Sequence, residues 1–213
     1  IKEKKISNFS NLFLTKLGMN RKDSKLVSKL LVKSDMSQHF SHGVIRLVQY
    51  YNMVKNKIYR IKGKPKIKIK GKFMVIDGQR SFGQITMNHA CQKIKDLRND
   101  IQIVSVSNCG HIGRLSDYAE FLSKSGYVNL IFCNGGGPNT SIYPSAERIV
   151  GTNPFSFGIQ INKKKTLIID FATSLLAEGK INIAKLNKKK IKIKPIISKN
   201  GIYTNNPAEL YSG

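Results

Sequence analysis

An α/β fold, with N-terminal helices packed on a mixed β-sheet layer, is the expectation from three features of the chain. Helix-period apolar stripes fill the first seventy residues, the pattern changes at Gly63-Lys64-Pro65, and short apolar runs then alternate with further helical stripes. Gly18 is placed to stop a first helix, and Leu26, Val27, Leu30 and Leu31 form the stripe of a second that begins after Asn20. A third helical stretch carries Ser41-His42-Gly43-Val44-Ile45-Arg46-Leu47. Phe73–Asp77 reads as a strand closed by Asp77-Gly78. Met87, Ala90, Ile94 and Leu97 give a helix face, 101–106 a strand, and Leu115, Tyr118, Ala119 and Leu122 another helix ending near Gly126. Strands over 128–133, 166–170 and 191–197 complete the order, whose βαβαβ run is the argument for layered sheet and helix. A boundary near residue 70 divides an N-terminal helical segment, 1–70, from an α/β region, 71–213.

Composition bounds the function more loosely than charge implies. The 213 residues are 40% hydrophobic, enough for a sizeable core, and 37 Lys+Arg against 12 Asp+Glu give a formal net charge of +25. Such an excess suits nucleic acid, an anionic surface or anionic small molecules. It is mostly lysine, however, and accompanies a richness in Ile and Asn of the kind that genome composition produces. The runs around Ile67 and Ile69 and around Ile191 and Ile193 alternate Lys with Ile, as half-buried strands with a solvated face do. With no Trp and no aromatic residues interleaved in those runs, a single-strand-binding groove lacks its stacking platforms, and no nucleic-acid partner is expected. Cys91, Cys109 and Cys133 are isolated, so neither a disulfide framework nor a metal site is indicated. No apolar run approaches the roughly 20 residues of a membrane helix. A reduced, cytoplasmic protein without membrane attachment is the expectation, and both chain ends, Ile1 and Tyr211-Ser212-Gly213, read as cut.

Four short constellations could carry chemistry. If His42 and Arg46 share a helix, they project within roughly 40° of each other, opposite Val44, Leu47, Val48, Tyr51 and Val54. That would set a group able to titrate near neutrality beside a carboxylate anchor; two residues on an ordinary polar helix face would look the same. Ser107-Asn108-Cys109-Gly110-His111-Ile112-Gly113-Arg114-Leu115 lies between a strand and a helix, where free backbone N–H groups favour anions, or forms a plain βα turn. Gly151-Thr152-Asn153-Pro154 is a turn in which Thr152 could hold a ligand. Asp170-Phe171-Ala172-Thr173-Ser174, at a strand end, could cradle a ribose or phosphate, or cap a helix through Asp170 or Thr173. No GxGxxG occurs, and Gly135-Gly136-Gly137-Pro138 precedes no helical stripe, which disfavours a Rossmann dinucleotide site. His39 and His89 read as structural.

Taken in order, SHGVxRL, NxxHIGRL, GTNPF and DFATSxxAxGK, spread from residue 41 to 180, resemble the type 2 malate/L-lactate dehydrogenase family, which also holds ureidoglycolate and sulfolactate dehydrogenases and diketogulonate and piperideine-2-carboxylate reductases. The resemblance covers the chain as the front part of such proteins, whose C-terminal part would be missing here. It implies a non-Rossmann fold binding NAD or NADP, and hydride transfer to or from a small 2-hydroxy or 2-oxo acid, or reduction of a cyclic imino acid. His42, with Ser41 in its relay, would be the acid/base, with His111 as the alternative. Arg46 would hold the substrate carboxylate and Thr152 would touch substrate. His111, Ile112, Gly113, Arg114 and Leu115, with Asp170, Phe171, Ala172, Thr173 and Ser174, would lie along the cofactor. A homodimer is implied as well. Phe40 departs from the pattern, which usually has Asp or a small residue before the Ser-His pair.

Overall fold

The computed structural model describes residues 2–212. Helix α1, Glu3–Lys16, ends at Gly18, whose φ of +104° is open to glycine at no steric cost. Helix α2, Arg21–Met36, starts under an N-cap, Asn20, whose side-chain oxygen accepts from the Asp23 N–H at 3.0 Å. A 3₁₀ turn, Phe40–His42, then leads to α3, Arg46–Lys55.

Leu14, Val27, Leu31, Leu47 and Tyr50 from these helices, with Met19 between the first two, close one core with Phe82 and Ile85. The cluster therefore draws on both sides of residue 70. The stripe expected for α3 is corrected in part. Leu47 and Tyr50 are buried, but Val48 and Tyr51 face solvent at 68% and 44% exposure, because the helix begins only at Arg46 and presents a rotated face.

Beyond the break come β1, Lys66–Lys70, and β2, Phe73–Asp77, an antiparallel pair. Helix α4, Gly83–Leu97, connects them to β3, Ile103–Ser107, which runs parallel to β2. Helix α5, Leu115–Lys124, leads to β4, Asn129–Phe132. Strands β5, Phe155–Asn162, and β6, Lys165–Phe171, complete a second three-stranded sheet, all antiparallel, in the order β4-β5-β6. The continuous βαβαβ layer expected from the sequence is thus divided, since β4 turns to β5 and does not pair with β3. β5 is absent from the expected strands, although Phe155, Phe157, Ile159 and Ile161 alternate with polar or small residues along it.

Helices α4 and α5 cover one side of both sheets, and Met74, Ile76, Ala90, Ile94, Tyr118 and Leu122 form the second core there, with Ile131 packed against it. Asn129 pins this layer: its amide donates to the Ala119 carbonyl at 3.1 Å, to Ser123 Oγ at 3.0 Å and to the Gly158 carbonyl at 3.2 Å. The other side of both sheets stays exposed and apolar, with Phe73 paired to Ile103, Phe132 to Phe155 and Phe155 to Phe171.

Helix α6, Glu178–Leu186, follows, and then the two-residue strands β7, Ile196–Ile197, and β8, Tyr203–Thr204. The strand expected over 191–197 is reduced to β7. Lys-Ile alternation sorts side chains between two faces but supplies no neighbouring edge, and the lysines at 192 and 194 stand in solvent. A 3₁₀ turn, Pro207–Tyr211, ends the described fold.

Candidate active site

Local chemistry sets the first element of the site. The Asp35 carboxylate, at the end of α2, accepts from the Val44 N–H at 2.9 Å and fixes the bend between the 3₁₀ turn and α3. His42 and Arg46 therefore do not share a helix, contrary to the expectation. His42 closes the 3₁₀ turn, Gly43 is extended, and Arg46 opens α3. The two are brought together by a different route, since Arg46 Nε donates to the Ser41 carbonyl at 2.6 Å and its Nη1 to Gln49 Oε1 at 2.7 Å. Nη2 makes no hydrogen bond among the described residues.

Ser41 Oγ lies 3.0 Å from His42 Nδ1. Behind it stands Gly179 of α6, where a Cβ would fall 2.5 Å from Ser41 Cβ and 3.5 Å from Arg46 Nη2. Only a residue without a side chain lets α6 come this close.

The loop between β3 and α5 delivers His111 to the same place. Its ring stacks on His42 with centroids 5.4 Å apart and 30° between the planes. Its backbone N–H donates to Tyr59 Oη at 2.8 Å, and its Nδ1 lies 2.9 Å from Tyr50 Oη. The Gln84 amide meets Tyr50 Oη in turn; with its nitrogen as donor, the Tyr50 hydroxyl proton is free to go to His111 Nδ1, the arrangement that puts the ring's own proton on Nε2. That Nε2 is buried and has no partner among the described residues, an unsatisfied polar atom in a low-dielectric setting. Tyr50, Tyr59 and Gln84 were outside the sequence expectation, because their relation to His111 is purely spatial.

Electrostatics keep both histidines neutral. Burial first, and the Arg46 charge second, lower His42 from 6.5 to about 4. His111 is pushed well below its ordinary value by the same causes and by His42.

A cleft of about 1250 Å³ opens over this group. His42, Arg46, His111, Ile112, Gly113, Leu115, Gly135, Gly136 and Thr152 all line it. Arg114 does not face it as a free cation. Its guanidinium meets Asp117 at 2.7 Å, and Asp117 also pairs with Lys33 of α2 at 2.9 Å. Nor is the start of α5 an open anion site: Asp170 Oδ2 accepts from the Ser116 N–H at 2.8 Å and caps the helix from β6. The segment Asp170, Phe171, Ala172, Thr173 and Ser174 stays outside the cleft lining. Thr173 instead supports Thr152 from behind, its N–H donating to the Thr152 carbonyl at 3.0 Å. The helix-capping alternative for Asp170 is the one realised.

The cleft exceeds the roughly 300–1,000 Å³ typical of small-ligand sites, is lined by apolar, glycine and a few polar residues, and holds a buried unpartnered ring nitrogen of His111. Among the described residues, no cluster of His, Cys, Asp and Glu is arranged to hold a metal ion. No helix among them is long and apolar enough to cross a membrane.

Comparison with known proteins agrees with this architecture. Hydroxycarboxylate dehydrogenase B of Escherichia coli K12 is 29% identical over 209 residues, 95% of this chain and 57% of that protein. The L-sulfolactate dehydrogenase of Methanocaldococcus jannaschii is 31% identical over 205 residues, 94% and 58% respectively. Among solved structures, sulfolactate dehydrogenase from M. jannaschii superposes with a TM-score of 0.84 at 28% identity, covering 100% of this chain and 62% of that one. Malate dehydrogenase from Pyrococcus horikoshii OT3 gives 0.83 at 28%, covering 100% and 58%. The chain spans less than two thirds of the length of each of these relatives. Across residues 1–213 it matches the family profile described as malate/L-lactate dehydrogenase, and on that match and this fold the chain belongs to the malate/L-lactate dehydrogenase family.

Proposed function

We propose that this chain carries the acid-binding and proton-transfer half of an oxidoreductase for small 2-hydroxy and 2-oxo acids, working with NAD or NADP. The observation that carries the reading is the meeting of an Arg46 guanidinium, with no carboxylate partner among the described residues, and the stacked His42 and His111 rings at one cleft. Arg46 Nη2 would take the substrate carboxylate, a planar fork for a planar anion. The carbonyl or hydroxyl oxygen would then face the imidazoles, with Thr152 bounding the acid on the far side. His42 is the first choice for proton transfer, relayed through Ser41, and His111 the second, a donor fixed by Tyr50 and Gln84.

The charge arrangement gives this chemistry a direction. Neutral His42 is ready to accept the hydroxyl proton as a hydroxy acid is oxidised. For reduction of an oxo acid the imidazole must first be protonated. An incoming carboxylate cancels the Arg46 cation that helps hold His42 low, so substrate and proton would enter together. The nicotinamide, when bound, gives or takes the hydride at the substrate carbon. His111, Ile112, Gly113 and Leu115 would border it; Arg114, Asp170, Phe171, Ala172, Thr173 and Ser174 would support its surroundings from behind. The reading includes a soluble cytoplasmic homodimer with a small carboxylate substrate, as the family resemblance implies.

The test is absorbance of reduced nicotinamide, NADH and NADPH in turn, in a family-length protein containing this chain, against a panel of 2-oxo acids and a cyclic imino acid. Turnover of one acid that is abolished in His42→Ala supports the reading. Turnover unaffected by both His42→Ala and Arg46→Ala sinks it.

A further inference from the structure

The cleft reverses the charge balance of the chain. Lys+Arg outnumber Asp+Glu by 37 to 12 overall. Among the described residues, however, Arg46 is the single Lys or Arg that lines the cleft, and the other charged lining residues are the acids Asp100 and Glu178. Along α3 the lining face runs Arg46, Gln49, Met53 at helical spacing, so the cation is followed by an amide and a thioether, and Ile58 continues the neutral wall.

Glu178 opens α6, one residue before the Gly179 whose close approach to Ser41 brings this helix beside Arg46. A Cβ on Gly179 would lie 3.5 Å from Arg46 Nη2. The two opposite charges nevertheless form no ion pair among the described residues. The Glu178 carboxylate is held elsewhere: Tyr211 Oη donates to its Oε1 at 2.6 Å, while Lys185 Nζ lies 4.1 Å over the Tyr211 ring and not on the carboxylate. Oε2 makes no hydrogen bond among the described residues. Burial, then the hydrogen bond and charge of Glu178, push the Tyr211 hydroxyl up, and the Arg46 cation acts against them, so this pair lies within electrostatic reach of Arg46.

We propose that Glu178 is a specificity-determining residue that sets the acid site against a second anionic group, so that the substrates are 2-hydroxy and 2-oxo monocarboxylates with an uncharged remainder. The inference rests on the reading of Arg46 as the carboxylate anchor. A monocarboxylate on Nη2 neutralises the cation, and its remainder meets Gln49, Met53 and Ile58, none of which carries charge. An acid with a second carboxylate, or with a sulfonate, finds no further cation in the described lining and brings its extra charge toward the Glu178 carboxylate. In a partly enclosed site such like charges repel strongly, and discrimination comes from that repulsion as much as from the missing attraction. Repulsion of this kind needs a carboxylate that cannot swing onto Arg46, which is what the bond from Tyr211 provides.

Calorimetric binding to the family-length protein that contains this chain, with NADH and NADPH present, tests it without requiring turnover. The probes are oxamate, with one carboxylate, and tartronate, with two. The parent protein should bind oxamate at least about tenfold more tightly than tartronate. Glu178→Gln keeps an oxygen for Tyr211 and removes only the charge, and it should narrow that ratio by about tenfold. A parental ratio in Glu178→Gln overturns the assignment, as does a parent protein that binds tartronate as tightly as oxamate or binds neither. The two readings fail separately: a ratio that shifts at Glu178 in a protein that turns over no acid sinks the oxidoreductase reading alone, and an unchanged ratio in an active enzyme sinks this one alone.

Discussion

The rings of His42 and His111 stack 5.4 Å apart although 69 positions separate them, and the two are anchored independently, one by Ser41 and the other by Tyr50. Because the anchors differ, the two roles separate by mutation. In the family-length protein, His42→Ala should lower kcat by roughly 10²–10⁴-fold. Arg46→Ala should act mainly through substrate binding, with a raised KM for the acid and little change in KM for the cofactor. Steady-state kinetics check both, and a larger kcat loss in His111→Ala than in His42→Ala would transfer the proton to His111.

Tyr50→Phe removes one oxygen and leaves two groups without partners, His111 Nδ1 and the Gln84 amide. The loss of stability should be about 1–3 kcal/mol. The His111 ring would no longer be held in the Nε2–H tautomer, which nitrogen-15 shifts of the imidazole report directly. A ring that keeps its tautomer in the variant would show that Tyr50 does not set it.

Acid should weaken the fold before carboxylates titrate. The unfolded chain takes a proton on His42 near 6.5, whereas the folded chain resists until about 4. Stability is therefore complete above 6.5 and is lost as pH falls toward 4, by up to about 3 kcal/mol from this group. His111, lowered in the same direction, adds to the loss. Urea midpoints at pH 7 and pH 5 measure it, and His42→Gln should flatten the slope. An unchanged slope in that variant would place the effect elsewhere.

Gly179→Ala puts a methyl group 2.5 Å from Ser41 Cβ. Overpacking of this kind costs about 1–3 kcal/mol. The displaced Ser41 should also alter the pH profile of kcat more than it alters Tm. A variant with the parental profile would mean that α6 does not position the Ser41–His42 pair.

Asp117 is 4% exposed at its side chain and serves both Arg114 and Lys33. Asp117→Ala leaves a buried guanidinium unpaired, at about 3–5 kcal/mol. Thermal unfolding should show a drop of several degrees, and Lys33→Met, which removes an exposed cation, a much smaller one.

Much of this architecture is written in local pattern. Helices α4 and α5 and strands β2, β3, β4 and β6 stand where stripes and apolar runs put them, because each buries one face on the same layer. Other features depend on contacts between distant residues. The helix carrying His42 is broken by a carboxylate from α2, and nothing in the spacing of Ser41 to Leu47 reveals Asp35. Arg114 looks like a free cation in sequence and is spent on Asp117; Asp170 looks like a ligand residue and caps α5. The lysine-rich alternation after α6 imitates a strand but has no edge to join. The division of the sheet between β3 and β4 is also invisible locally, since strand periodicity records faces and not neighbours.

Open strand edges have a cost that is temporal as well as structural. As long as β3 and β4 face an empty gap, their backbones are templates for any extended apolar segment that arrives, and the exposed Phe73, Phe132 and Phe171 make such encounters adhesive. Synthesis from the N-terminus presents this surface as soon as the two sheets have formed on α4 and α5. While those edges stand open, a nascent chain needs a holdase or a low concentration to escape aggregation.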